Sequence, residues 1–216
     1  MTGATVNQPR SPLNLRGTRF KPLTWESLTP AQLSMVDSVL SGKRGSMQGP
    51  YNVLLRSPEL GNLAQQFGAH TRFKSSLPLR LNELAILMVA RFWRCEFVWW
   101  AHRQIAIDSG LHAGLIESVL GGRALAGLPP ELAVPDAAVF AFCHELIETR
   151  RVGDATYAAL VAQFGEAGVV DLMGTMSYYT LVSMSLNVDQ YPLPPGAVPS
   201  FDSPSPASAN SHRTSF

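Results

Sequence analysis

Cysteine is scarce in this chain of 216 residues: only Cys95 and Cys143 are present, far apart in sequence. That excludes a disulfide framework, a CxxC redox pair and a cysteine-rich zinc site. A reducing, cytoplasmic setting is the expectation. Long apolar runs are also missing. No run, that at 84–90 included, exceeds seven residues, whereas a membrane span needs about 20. The first residues carry no apolar leader core, so a soluble chain with no membrane partner is expected. Excess charge of either sign is absent. Seventeen basic residues face 16 acidic ones, for a net charge of +1, which argues against nucleic acid as a partner. The adjacent basic pairs, Lys43-Arg44 and Arg150-Arg151, sit in no longer basic run. No sustained polar/apolar alternation points to strands. No Walker loop, nucleophile elbow or dinucleotide fingerprint appears.

What is present is apolar matter in helical spacing. Hydrophobic residues make up 46% and charged residues 15% of the chain, enough for a sizeable core. Residues 1–23 are polar, contain Pro9, Pro12 and Pro22, and read as an arm that docks on the body or stays loose. From Tyr191 onward the chain turns Pro- and Ser-rich, and about 196–216 reads as a tail outside the fold. The body, 24–195, carries repeated start signals. Thr29-Pro30-Ala31-Gln32 predicts a capped helix that stops near Gly42, and Ser57-Pro58 opens another. Pro78 precedes an apolar stretch over 79–108 that ends at Gly110. A short helix is expected around 113–123. Asp136 and Asp154 read as caps of two more, and a last helix is expected over 166–187. The fold class is all-α, with about eight helices.

Chemistry concentrates in 77–111. Phe92, Trp93, Phe97, Trp99 and Trp100 fall within nine residues. The same 77–111 stretch holds Glu83, Cys95, Glu96 and His102. Cys95, Trp99 and His102 share one face of a helix by spacing. A carboxyl and an imidazole in an apolar shell suit proton transfer, because burial moves both toward neutrality. His144 and Glu148 stand one turn apart without a third ligand, so no metal site is expected.

The runs LPLRLNELAILMVAR and EFVWWAHRQIAIDSGL resemble the common motif of the carboxymuconolactone decarboxylase and alkylhydroperoxidase superfamily. LTPAQLSMVDSVLSGKRGSMQGPYNVLLRSPEL is similar to its leading helices and MGTMSYYTLVSMSLNVDQYPLP to its closing one, so the likeness covers about 24–195. The peroxidase branch uses a glutamate, a CxxC pair and a histidine, which fall on Glu83, Cys95, Val98 and His102. Val98 occupies the second cysteine's place, so the disulfide step of that branch has no partner. The resemblance therefore implies the decarboxylase and isomerase side, a lyase needing no cofactor and acting on a small carboxylated lactone or dienoate from aromatic catabolism. His102 is the candidate acid/base, with Glu83 relaying or orienting and Cys95 beside them. The α-helix beginning near Cys95 favours an anion there, a thiolate or a substrate carboxylate. Arg72, Arg80, Arg91 and Arg94 are candidate carboxylate clamps. Glu96, Trp99 and Tyr178 are candidates to line the pocket. The family pattern also implies a helix break near 94–96. Self-association, as a trimer or hexamer, is expected from the apolar stripes and a mean hydropathy of +0.07. A double-bond isomerase, an alkylhydroperoxidase-like antioxidant protein and a non-catalytic oligomeric binding protein are the alternatives.

Overall fold

The computed structural model describes residues 12–122, 128–129 and 131–201. Among these, eight α-helices follow a short 3₁₀ turn at Trp25–Ser27: α1 (Pro30–Leu40), α2 (Tyr51–Leu54), α3 (Pro58–Phe73), α4 (Leu79–Trp93), α5 (Glu96–Asp108), α6 (Ala113–Leu120), α7 (Val134–Thr149) and α8 (Asp154–Asp189). The described residues contain no strand. The all-α reading of the sequence holds. No helix among them is long and apolar enough to cross a membrane.

Local chemistry places most boundaries. Thr29 caps α1 reciprocally: Gln32 N–H donates to Thr29 Oγ1, and Thr29 N–H donates to Gln32 Oε1, which satisfies two otherwise orphaned donors. α3 opens at Ser57-Pro58. Asp136 does not cap α7. That helix begins two residues earlier, at Val134, and Asp136 lies in its first turn, paired with Arg80 at 2.9 Å. The two C-terminal helices expected on either side of 165 are present within α8: the backbone at Gly165 is not helical (φ 65°, ψ 178°), a conformation that only glycine adopts cheaply, and two helical segments meet there at a kink.

α4 is the centre of the molecule. Residues 81–90 are all buried, and the helix packs against α5, α6, α7 and α8. A helix apolar on every side requires neighbours on every side. A second, smaller core lies under α1 to α3, built from Met35, Val36, Val39, Tyr51 and Leu55.

The break between α4 and α5 falls at Arg94, where the family pattern puts it. Arg94 takes a left-handed conformation (φ 49°, ψ 40°), at a cost of about 1–2 kcal/mol for a residue with a Cβ. Cys95 N–H returns to the Ala90 carbonyl at 2.9 Å, the closure typical of a left-handed helix end. The Asn187 side chain, from α8, donates to the Trp93 carbonyl at 2.7 Å. No glycine is needed because the surrounding contacts hold the strained turn.

The described parts of both terminal segments dock. Asp189, fully buried, accepts through Oδ1 from the backbone N–H groups of Thr18, Arg19 and Phe20 at 2.8–3.1 Å. Asn52 ties the same segment down through the Phe20 carbonyl. At the other end, Ser200 and Phe201 donate their backbone N–H groups to Glu96 at 2.7 and 2.8 Å. Phe201 packs edge-on against Trp99. Composition put these residues outside the fold, but one buried aromatic and two charge-assisted hydrogen bonds offset the ordering cost of so short a stretch.

Asp189→Ala is expected to release the arm, lowering stability by about 2 kcal/mol, which is roughly 4–8 °C in Tm for a chain this long. Faster tryptic cleavage after Arg16 and Arg19, followed by mass spectrometry, would report it. Unchanged cleavage would mean the arm is held elsewhere.

Candidate functional site

The break at Arg94 folds α5 back along α4, and this brings Glu83 and His102 together from positions 19 apart in the chain. His102 Nδ1 lies 2.7 Å from Glu83 Oε2. Both are buried, at 6% and 1% exposure. A carboxylate accepting from Nδ1–H leaves the Nε2 lone pair for chemistry. The imidazole is further fixed by an edge-to-face contact with Tyr179, at 4.9 Å between centroids. Glu83 Oε1 is buried and has no hydrogen-bond partner.

His102 lines a cavity of about 450 Å³, within the ordinary range for small-ligand sites. Its walls come from the loop at 44–50, the end of α3, α5 and α8, and include Arg44, Arg72, Trp100, Tyr178 and Tyr179. Asn82, beside Glu83, binds the Thr71 carbonyl and accepts from Thr175. That network fixes the last turn of α3, which carries Arg72. Tyr178 reaches across α8 to α3 because residue 68 is glycine: a Cβ there would fall 2.1–2.5 Å from the Tyr178 ring tip and hydroxyl.

Of the residues singled out in the sequence, the cavity wall gathers His102, Arg72 and Tyr178, with Glu83 directly behind His102. The others lie elsewhere. Arg80 is engaged with Asp136. Arg91 donates to the Leu120 carbonyl and borders a separate depression with Arg94. Glu96 is occupied by the C-terminal segment, and Trp99 is a core side chain at 1% exposure. His144, away from the cavity wall, stacks on Phe140. No group of three His, Cys, Asp or Glu able to hold a metal ion occurs among the described residues.

Cys95 is the N-cap residue of α5 but borders a different cavity, with Tyr191 and Phe201. Burial pushes its thiol pKa up. The Val98 and Phe97 backbone N–H groups and Ser183 pull the other way and lose. The helix terminus thus favours a thiolate, as the sequence suggested, yet desolvation dominates. Iodoacetamide should alkylate Cys95 in the folded protein far more slowly than a free thiol at pH 7.5, since the thiolate is the nucleophile. Labelling at the free-thiol rate would contradict this. The folded-state pKa is raised, so the unfolded chain ionises first. Stability contributed by the neutral thiol is complete below about pH 8.5 and declines as pH rises past it.

Arg44, Tyr179 and the 44–50 loop were not distinguishable in the sequence. The one signal for Arg44 was its place in the Lys43-Arg44 pair, which a solvated loop explains equally well. Burial works against the charge on Arg44. Tyr178, Tyr51 and Tyr179 outweigh it and hold its pKa up, so it remains a cation.

The element order and the broken α4–α5 pair define an all-helical fold of the alkylhydroperoxidase type. The chain is similar in structure to a protein of unknown function from Agrobacterium tumefaciens, proposed as the antioxidant defence protein AhpD, with a TM-score of 0.55 and 14% identity, over 68% of this chain and 100% of that one. At that identity the likeness establishes the fold, the one expected of the carboxymuconolactone decarboxylase and alkylhydroperoxidase superfamily. No family model matches the sequence, and a comparison with curated proteins gives no match.

Proposed function

We propose that this protein is a cytoplasmic, cofactor-independent lyase that moves a proton on a small carboxylated lactone or dienoate from aromatic-compound breakdown. The observation that carries this reading is the Glu83–His102 pair, 2.7 Å apart and buried at the wall of a 450 Å³ cavity that also holds Arg72. Desolvating two ionisable groups costs several kcal/mol per ion, so such a pair is weak support for stability. Proton transfer at the cavity wall gives it a use. Decarboxylation next to a carbonyl leaves an enolate-like intermediate. His102 Nε2, whose lone pair first takes up a proton from solvent, delivers that proton to carbon; Glu83 is the positioning residue, and Arg72 holds a substrate carboxylate other than the one lost as carbon dioxide.

Isomerisation of a double bond would use the same groups. Thiol peroxidase chemistry is less well supported, because Val98 stands where a second cysteine is needed and Cys95 borders another cavity. The test is a screen of aromatic ring-cleavage acids by absorbance, with released carbon dioxide measured in parallel. Carbon dioxide in step with the absorbance change supports the lyase. An absorbance change without it indicates the isomerase. Peroxide consumption dependent on Cys95 would overturn both.

Self-association belongs to the same proposal. Leu60, Leu63 and Phe67 on α3 and Val170 and Met173 on α8 expose an apolar face, and Phe67 closes against Gly174 to join the two helices. A trimer or hexamer through this face is expected in light scattering at micromolar concentration. A monomer there would contradict it.

A further inference from the structure

We infer that Arg44, on the loop between α1 and α2, forms with Arg72 an anion-binding pole that selects a carboxylate carrying a flat apolar body. This deepens the acid/base reading of the same cavity and rests on it for the chemistry, but not for the binding.

An arginine in a glycine-bearing loop is ordinarily solvated. This loop is turned inward by Gly45 and Gly49, both at positive φ (62° and 86°). Arg44 consequently lines the cavity, and its guanidinium lies 5.6 Å from the Tyr51 ring centroid and 6.0 Å from that of Tyr178. One terminal nitrogen, Nη2, is buried with no hydrogen-bond partner. The hydroxyls of Tyr51 and Tyr178 are buried and unpartnered too, on side chains 0% and 1% exposed. Burial raises the Tyr51 pKa, so its hydroxyl keeps its proton. Each tyrosine hydroxyl can accept one bond from a neighbour, but the guanidinium and the two hydroxyls still carry more N–H and O–H donors than acceptors, which favours an acceptor supplied by a ligand.

The charge balance points the same way. The cavity wall includes Arg44 and Arg72 and no Asp or Glu, and among the described residues neither arginine forms an ion pair with a carboxylate. Arg80, by contrast, is neutralised by Asp136 at 2.9 Å. Two guanidinium groups with no carboxylate in contact suit a carboxylate ligand, whose two oxygens match the guanidinium fork. The rest of the wall is apolar: Phe97, Trp100, Ile105, Val182 and Leu186. Phe97 and Trp100 sit 5.7 Å apart at 34°, surfaces on which a conjugated body can stack. A ligand so bound has its charged head at Arg44 and Arg72 and its unsaturated part beside His102.

Cinnamate and cinnamamide share a shape and differ in charge, which makes them the probes. Each is titrated by calorimetry into the full chain and into Arg44→Gln, Arg44→Lys, Arg72→Gln and His102→Gln, with thermal melts to check folding. Wild type should bind the acid about 10- to 100-fold more tightly than the amide, the worth of a charge-assisted contact. Arg44→Gln and Arg72→Gln should each remove most of that preference. Arg44→Lys, which keeps the charge and loses the fork, should retain part of it and serves if the glutamine variant does not fold. His102→Gln should leave the preference intact.

Equal binding of acid and amide, no cinnamate binding at millimolar concentration, an undiminished preference in folded Arg44→Gln, or tighter binding of inorganic phosphate than of cinnamate would each overturn the proposal. A His102→Gln protein that keeps both the preference and full turnover would instead remove the acid/base reading and leave the anion pole standing.

Discussion

His102→Ala should lower turnover on the cognate acid by about 10²–10⁴-fold, the usual contribution of a positioned acid/base. The substituted side chain lines the cavity and is not a pillar of the core. Its loss removes the edge contact with Tyr179 and leaves Glu83 buried without its partner, at a cost of about 3–5 kcal/mol, so the folded fraction falls and has to be measured beside activity. Turnover per folded molecule is therefore the quantity to measure. Cys95→Ser is the matched control. It touches a different cavity, a thiol has no part in proton transfer, and its cost should fall on stability. A large loss in Cys95→Ser with little in His102→Ala would reassign the chemistry to the thiol.

Glu83→Ala is expected to be damaging in two ways at once. Removing one partner of a buried ionisable pair typically costs about 3–5 kcal/mol, which corresponds to a Tm lower by roughly 6–20 °C. It also frees the His102 ring, so kcat should fall about 10²-fold even among folded molecules, with KM little changed because Arg72 still holds the carboxylate. Glu83→Gln separates the two effects. Its side-chain oxygen can still accept from Nδ1–H, so ring orientation and most of the stability return while the charge does not. Recovery of Tm together with partial recovery of kcat is the expected pattern. If Glu83→Gln and Glu83→Ala have the same kcat, orientation is not what Glu83 supplies.

The helices were legible because their causes are local. A Thr-Pro-x-Gln cap, a Ser-Pro start and apolar residues every three or four positions act within one or two turns, so α1, α3 and the apolar α4–α5 stretch could be placed from short windows. Asp136 misled for the same reason. Its residue type suits a cap, but the Arg80 side chain, 56 positions away in sequence, gives it a different use. The site was legible in part. Glu83 and His102 stood out as ionisable groups in an apolar stretch, and the family motif supplied their relation to each other.

Which arginines face the cavity had to come from the tertiary structure. A guanidinium on an amphipathic helix looks the same in sequence whether it meets solvent, a carboxylate or a ligand site, and Arg72, Arg80 and Arg91 met three different surroundings. Arg44 became a wall residue only because its loop folds over α8. Cys95 followed the same rule. The family resemblance put it near a helix start, where a thiolate is favoured, while residue spacing alone allowed one unbroken helix; how deeply it is buried was decided by α8 and the returning C-terminal segment. Desolvation depends on everything packed around a group, and that packing is settled only when residues distant in the chain come together.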